Sequence, residues 1–370
     1  MDPPNRAGEE DPSSFLQPAV DSILDRLRSD GGDGRRLEAA REVRRLTKTS
    51  SKNRRRLAEA VDPIVAMLRS GSAEDAEAAL LALLNLAVKD ESNKIKIINA
   101  GALDPLIDFL QSPNSSLQEN ATAALLTLSA SSANKPIIAS AAVIPHLVRV
   151  LDNGTPQAKA EAITALSNLS TEPNTLQDIL LSKPIPHLVN LLKTSKKSSR
   201  TAEKCTALLE SLLAFDEART VLTTEPGGVL AVVEAVEDGS PRTREHAVGA
   251  LLILCQSDRL KYREVILNEG VIPGLLELTV QGTDKGRVRA RELLGLLRDS
   301  SKRRSELEGE EALEHIVTDI VWRIDGEDRS GKAKKMLAEM VKVSMEQSWR
   351  HLEQRAAMVH APAPELATLK

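Results

Sequence analysis

Two histidines, His146 and His187, come closest to a metal-binding or catalytic pattern, because they recur 41 positions apart in matching sequence words. A metal pair would need both imidazoles to converge on one ion. Copies of a repeated element are expected instead to place them as successive rungs on the outside of a stack. The sequence also contains no Gly-x-Gly-x-x-Gly, Gly-x-x-x-x-Gly-Lys-Ser/Thr or Gly-x-Ser-x-Gly. We therefore predict no metal site, no cofactor, no catalytic residue and no enzymatic activity.

The composition of the 370-residue chain limits its partner classes. A formal net charge of −4 disfavours a protein built as a whole to hold phosphate backbones, and three Phe, two Trp and one Tyr offer few rings for nucleobase stacking. The two cysteines, Cys205 and Cys255, are too few for a disulfide framework and lie on apolar helical stretches. We expect both to be small buried residues in a reducing compartment.

No stretch of the sequence is typical of export or of membrane insertion. Residues 1–6 lack an apolar core, and the longest apolar run, residues 76–88, is interrupted by Glu77 and Asn85. This run is far shorter than a membrane span. We therefore expect no membrane span and a cytoplasmic or nuclear location, or both.

A proline marks a repeat with a period in the low forties. Pro63, Pro105, Pro145 and Pro186 are spaced by 42, 40 and 41 residues, and Pro273 follows after two further periods. Similar words surround them, such as VIPHL, PIPHL and VIPGL. A helical repeat of this length is typical of armadillo and HEAT proteins, and the words favour armadillo.

The unit from residue 99 to 140 shows what one repeat contains. Apolar residues at i, i+3, i+4 and i+7 from Leu103 predict a short helix, with Asp104 as its N-cap and Pro105 at its first position. A turn, a longer helix from about Leu117 and a third short helical segment follow. No unit of this size buries its apolar faces alone, so copies must stack. We predict an all-α, right-handed armadillo-repeat superhelical solenoid of about seven repeats plus a divergent C-terminal cap.

The predicted domain organisation follows from this repeat. We expect a disordered N-terminal tail over residues 1–14, the solenoid over 15–358 and a C-terminal tail over 359–370. The solenoid is expected to open with a degenerate repeat over 15–60 and to close with a cap over 310–358, because terminal repeats need a polar outer face. The repeats between them are predicted to begin near residues 61, 101, 142, 183, 226 and 270.

Two sequence words, NKIKIINAGA at 93–102 and QENATAAL at 118–125, are typical of one family. Through them the span from about 15 to 355 resembles the armadillo domain of plant U-box ubiquitin ligases and their relatives without a U-box. The resemblance implies repeats that recruit substrates, receptor-like kinases or other regulators. A U-box opens with Cys-Pro, and no cysteine precedes the first predicted helix, so we expect this chain not to transfer ubiquitin by itself.

The same resemblance implies a groove lined by the third helix of each repeat, with an Asn in its last turn that binds the backbone of an extended partner. Asn85 and Asn168 match that position, and an amide can both donate and accept. Alternatively, each makes a local bond to a neighbouring helix. The remaining predicted groove residues occupy the same position, the position one turn earlier or the basic start of the groove: Arg41, Arg44, Arg45, Thr127, Thr164, Glu210 and Arg291.

A basic stretch, Arg35 to Arg56, lies where the groove begins and holds ten Lys or Arg residues. It is a nuclear-localisation signal, an RNA- or phosphate-binding patch or the charged start of the groove, and its amphipathic pattern favours the third interpretation. We expect it to attract acidic or phosphorylated segments. Glu77, Glu119 and Glu245 lie near the later part of the groove.

Three functions are compatible with the sequence. The preferred one is a non-catalytic protein–protein interaction adaptor that binds a partner segment in the concave groove, in plant signalling or ubiquitin-linked regulation. The second is a substrate-recruiting or regulatory subunit that acts in trans with a U-box ubiquitin ligase. The third, a nucleic-acid-binding helical repeat, is disfavoured by charge and by the shortage of aromatic residues. Expected partners are proteins, among them receptor-like kinases or ubiquitin-ligase components.

Overall fold

The structure, a computed structural model, describes residues 16–29, 33–70 and 72–298, and its regular elements there are all helices. The predicted N-terminal tail, C-terminal cap and C-terminal tail lie outside the described residues. The chain divides into two compact units, Met1–Leu254 and Cys255–Lys370. None of the helices in the described ranges is both long enough and apolar enough to cross a membrane.

The described helices form one pair followed by six sets of three, and the third helix of each set is the longest. In chain order they are α1 (Leu16–Arg28), α2 (Asp33–Thr47), α3 (Ser51–Arg56), α4 (Val61–Met67), α5 (Ala73–Ala87), α6 (Glu91–Asn99), α7 (Leu103–Leu110), α8 (Ser115–Ser129), α9 (Lys135–Ser140), α10 (Val143–Asn153), α11 (Pro156–Leu169), α12 (Thr175–Leu181), α13 (Ile185–Thr194), α14 (Arg200–Leu212), α15 (Asp216–Thr224), α16 (Gly228–Asp238), α17 (Pro241–Ser257), α18 (Arg259–Asn268), α19 (Ile272–Gln281) and α20 (Asp284–Leu297).

Short polar side chains start the long helices. Each accepts a hydrogen bond from a backbone amide in the first helical turn, where no intrahelical acceptor exists. The residues that do this for α5, α8, α11, α14 and α20 are Ser72, Asn114, Thr155, Ser199 and Thr283. The turn before each long helix therefore specifies where that helix begins.

A residue in the left-handed conformation joins the first helix of a set to the second. The backbone angle φ is +81° at Gly101, +55° at Ala142, +56° at Lys183, +64° at Gly227 and +79° at Gly270. Glycine adopts this conformation without steric cost, whereas a residue with a Cβ atom loses about 1–2 kcal/mol there. Two of these five junctions therefore store backbone strain.

The prediction that Asp104 is the N-cap of helix α7 is wrong. Helix α7 begins at Leu103 itself, its N-cap is Ala102, and no side chain caps it. The left-handed turn at Gly101 brings the chain into the helix two residues earlier than a cap at Asp104 would. The carboxylate of Asp104 lies in the first turn instead, where it interacts favourably with the helix dipole.

The long helices pack closely because small side chains lie between them. Ala79 and Ala82 of α5, Ala121 of α8, and Ala162 and Ala165 of α11 are fully buried. In the first unit, α2, α5, α8, α11 and α14 pack each against the next, and we call these five helices the long-helix row. The apolar periodicity of the sequence thus produces a series of helix–helix contacts from one repeat to the next.

Both cysteines belong to the core, as predicted. Cys205 is 0% exposed and Cys255 is 1% exposed, and both thiols are free. Burial raises the pKa of the Cys255 thiol to about 11, and it raises the pKa of the Cys205 thiol further. Neither sulfur is a nucleophile near neutral pH, because only the thiolate reacts.

Candidate functional site

The long-helix row begins with three predicted groove arginines on α2, all of them exposed. Arg41 donates to Glu74 Oε1 of α5 at 2.6 Å, and Arg45 donates to both carboxylate oxygens of Glu42 at 3.0 and 2.6 Å. The hydrogen bonds from Arg45 hold the pKa of Glu42 below its usual value. No hydrogen bond or ion pair engages the Arg44 guanidinium within the described residues. Arg44 is therefore a free cation for a partner.

The two predicted groove asparagines are half-buried and already bonded to the preceding member of the row. Asn85 Nδ2 donates to the backbone oxygen of Arg44 at 2.9 Å. Asn168 Nδ2 donates to Ser129 Oγ at 3.2 Å and to the Leu126 oxygen at 3.4 Å. Each amide thus makes the local bond to a neighbouring helix that was the alternative interpretation.

The predicted threonines serve their own helices. Thr127 Oγ1 donates to the oxygen of Ala123 at 2.9 Å, and Thr164 Oγ1 donates to the oxygen of Ala160 at 2.8 Å. Both residues are half-buried. Arg291 is exposed on α20 in the second unit.

The predicted groove residue Glu210 is paired with a histidine that was not predicted. Glu210 Oε2 lies 2.6 Å from Nδ1 of His246, which connects α14 to α17. Both side chains are shielded, with exposures of 14% for Glu210 and 31% for His246. This contact extends the series of bonds between long helices to α17.

Glutamates spaced by 42 residues run along the long helices, at positions 77, 119, 161, 203 and 245. Ser116 Oγ donates to Glu77 Oε1 at 2.7 Å, and Thr155 Oγ1 donates to Glu119 Oε2 at the same distance. Each of these two carboxylates therefore accepts from the next repeat. Sequence reasoning noted three of the five but missed Glu161 and Glu203, although the constant spacing is a signal that could have identified both.

Glu161 is the least satisfied member of this series. Gln157 Nε2 donates to its Oε1 at 2.6 Å, but its Oε2 is buried and has no hydrogen-bond partner. Burial raises the pKa of Glu161, and the neighbouring Glu119 carboxylate raises it further. The row therefore carries the three exposed groove arginines on α2 and one glutamate of this series on each of α5, α8, α11 and α14, and one oxygen of Glu161 lacks a donor.

The basic stretch 35–56 is not uniformly available to a ligand. Arg54 is 7% exposed, and its guanidinium donates to the backbone oxygens of Asn85 at 3.0 Å and Lys48 at 3.2 Å. It caps the end of α5 rather than facing solvent. At this position, therefore, the charge that the sequence displays stabilises the fold.

A second series of asparagines, which sequence reasoning missed, runs through the first helices of the sets. Asn93 is 1% exposed, and its Nδ2 donates to the oxygens of Arg54 at 3.0 Å and Leu86 at 3.1 Å. Asn134 Nδ2 likewise donates to the oxygens of Lys94 at 3.1 Å and Leu128 at 3.3 Å. Each amide joins the end of a long helix to the first helix of the preceding set, so this series is structural.

The recurring histidines do not converge on a metal site. His146 lies on α10 and His187 on α13, and His187 Nδ1 is 3.4 Å from an oxygen of Asp152. Across residues 16–29, 33–70 and 72–298, no group of three His, Cys, Asp or Glu side chains could hold a metal ion.

Comparisons with known proteins place these features in a family context. The plant U-box protein ARM repeat region matches residues 19–317. U-box domain-containing protein 45 of Arabidopsis thaliana is 36% identical over 110 residues, which are 30% of this chain and 14% of that protein. U-box domain-containing protein 13 of the same species is 32% identical over 96 residues, which are 26% of this chain and 14% of that protein. This chain's match thus spans about one seventh of each curated relative.

A solved structure supports the fold independently of close sequence similarity. An engineered protein superposes with a TM-score of 0.67 at 20% identity, over 88% of this chain and 79% of that one. Together with the matched repeat region, this likeness confirms the predicted all-α armadillo-repeat fold.

Proposed function

Because this chain belongs to the family of plant U-box protein ARM repeat regions, we propose that it is a non-catalytic adaptor whose long-helix row binds a segment of a partner protein. Armadillo repeats are generally protein-binding scaffolds. The observation that carries the proposal is the row itself, which exposes polar and charged side chains from five long helices that pack each against the next. A surface of this kind suits an extended segment, which can contact several repeats in turn.

The charge distribution along the row supports one kind of partner. Arg44 is free, and Arg41 and Arg45 are exposed beside it, so an acidic or phosphorylated stretch fits the end of the row at α2. The glutamates of the series add negative charge on α5, α8 and α11, beyond the arginines of α2. We propose a partner segment with acidic or phosphorylated residues over α2 and basic or hydroxyl-bearing residues over α5 to α11.

Charge reversal at Arg44 tests the basic end of this site. The probe is a short fluorescein-labelled peptide of glutamate and phosphoserine, measured by fluorescence anisotropy at low and at physiological salt. Arg44→Glu removes one attraction and adds one repulsion, each worth up to about 1 kcal/mol at an exposed site, so we expect roughly tenfold weaker binding. The matched control is Arg149→Glu, which makes the same charge change at an exposed arginine of α10, outside the row.

The two variants separate site binding from net charge. We expect Arg149→Glu to bind the probe like the unmodified protein, because α10 is not part of the row. Equal weakening by both variants, or no weakening by Arg44→Glu, would exclude a binding site at this end of the row. Higher salt should weaken the interaction in each case, since the contributing charges are exposed.

A ubiquitin-linked role is the second candidate, favoured by the match to two U-box domain-containing proteins. In this role the chain would present substrate in trans to a U-box ligase, or compete with one. Reconstituted ubiquitination of a row-bound partner, with and without this chain, would measure it. Unchanged ubiquitin transfer at saturating chain concentration would remove this candidate, while leaving the adaptor proposal in place.

A nucleic-acid-binding role receives less support. Arg54 is buried, so one cation of the basic stretch is committed to backbone oxygens. The glutamates of the row would also repel a phosphate backbone.

For an adaptor of signalling proteins we propose a location in the cytoplasm, the nucleus or both.

A further inference from the structure

An apolar cleft lies between α12, α13 and α15, away from the long helices. It offers about 400 Å³ of open space, enough for two or three benzene-sized groups on the scale of a 150 Å³ cavity that holds one. No residue of the long-helix row lines it. Its walls are built from six apolar side chains: Leu180, Leu181, Ile185, Pro186, Phe215 and Val221.

Two apolar side chains at the rim of the cleft are unusually exposed. Leu181, in the last turn of α12, is 72% exposed, and Val221 of α15 is 37% exposed. Exposed leucines occur singly on most proteins, but here they border a concave surface that is itself apolar. Covering this surface would remove Leu181 and the floor of the cleft from water together.

The polar side chains that line the cleft make no hydrogen bond or ion pair with the described residues. Gln177, Lys183 and Glu217 reach it from α12, from the junction after α12 and from the first turn of α15. Within the described residues, none of the three side chains has a hydrogen bond or an ion pair. The cleft therefore presents a free ammonium, a free carboxylate and a free amide around an apolar floor.

We propose that this cleft is a second docking site, which receives an amphipathic helix of a partner protein. Two apolar side chains one turn apart fill the floor, an acidic side chain faces Lys183, and a basic side chain faces Glu217. The two opposite free charges on the rim match a helix that carries both signs beside its apolar stripe.

The cleft walls favour a helix over other occupants. They are helices whose backbone groups bond internally, so an added strand would find no ladder of donors and acceptors, whereas a helix satisfies its own backbone. A small-molecule site usually encloses most of its ligand, but Leu181 remains 72% exposed at the rim and does not close over the space.

Selection from a peptide library tests the proposal. The full chain serves as bait for an mRNA-displayed library of random helical peptides. Leu181 is exposed, so the variant Leu181→Arg should fold normally. Recovered peptides are synthesised, and their affinities are measured by anisotropy for the unmodified chain, Leu181→Arg, Lys183→Glu and the control Leu260→Arg. Leu260 is 87% exposed on α18 and does not line the cleft.

We expect enriched peptides with apolar residues at i and i+3 or i+4 and an adjacent acidic residue. Leu181→Arg should weaken them at least tenfold, and Leu260→Arg should leave them unchanged. Lys183→Glu should reverse the preference, so that peptides with a basic residue in place of the acidic one bind more tightly. The variant Arg44→Glu on the long-helix row should have no effect on these peptides, which separates this site from the proposed function.

Four outcomes would overturn the proposal. One is the absence of any enriched helical sequence, and another is enrichment of peptides that bind Leu181→Arg as tightly as the unmodified chain. The third is equal weakening by Leu181→Arg and Leu260→Arg, which would indicate nonspecific adhesion to exposed leucines. Enriched peptides that lose binding only with Arg44→Glu would belong to the long-helix row and would also contradict the cleft assignment.

Discussion

The buried amide of Asn93 should be one of the polar groups whose loss destabilises this fold most. Asn93 is 1% exposed, and its Nδ2 donates to Arg54 O at 3.0 Å and to Leu86 O at 3.1 Å. Asn93→Ala removes two hydrogen bonds, each with a net contribution of about 1 kcal/mol, and leaves buried carbonyl oxygens unpaired. We expect the free energy of unfolding to fall by about 2–4 kcal/mol, a large part of the roughly 5–15 kcal/mol that stabilises a domain.

An isosteric variant separates the hydrogen bonds from side-chain volume. Asn93→Asp keeps the shape but replaces the donor with a second acceptor that faces the same two carbonyl oxygens, so it should destabilise at least as much as alanine. Asn99→Ala is the control, because Asn99 lies exposed at the end of the same helix and should change stability by no more than about 0.5 kcal/mol.

Urea denaturation followed by far-UV circular dichroism measures the stability of these variants, and hydrogen exchange localises the change. Repeat proteins open locally, so exchange should accelerate first in the C-terminal turn of α5 and in α3, which Asn93 connects. If Asn93→Ala costs less than about 1 kcal/mol, or if exchange accelerates uniformly, the buried amide does not hold these helices together.

Two further predictions concern backbone strain and buried charge. Ala142→Gly should raise the free energy of unfolding by about 0.5–1 kcal/mol, because relief of left-handed strain exceeds the entropy that glycine adds to the unfolded chain. For the inverse reason, Gly101→Ala should lower it by about 0.5–1 kcal/mol in the same urea assay. A stabilising or neutral Gly101→Ala would contradict this. Burial raises the pKa of Glu161, so the folded protein binds that proton more tightly and loses stability as pH rises from about 4 through the raised pKa. Glu161→Gln should match the unmodified protein below about pH 4 and exceed it in stability at pH 7; equal stability at both pH values would show that the unpartnered carboxylate oxygen has no cost.

The helical repeat could be predicted from sequence because its signals are local. Apolar residues at helical spacing and prolines at a constant period reflect the pattern of each turn and each unit, and a residue pattern carries both kinds of information. Start positions were less certain. The left-handed turn at Gly101 moved the beginning of α7, since propensity for a cap at Asp104 competes with backbone geometry that is set two residues before the helix.

The hydrogen-bond partners and the burial of polar side chains depended on tertiary structure. Asn85 and Asn93 look alike in sequence, yet one amide is half-exposed on the long-helix row and the other is buried between repeats. Asn85 bonds to the oxygen of Arg44 and Asn93 to that of Arg54, both about forty residues away in the chain, where no local pattern can identify them. Arg44 and Arg54 differ in the same way, because only the packing of α3 against α5 buries the second guanidinium and leaves the first free.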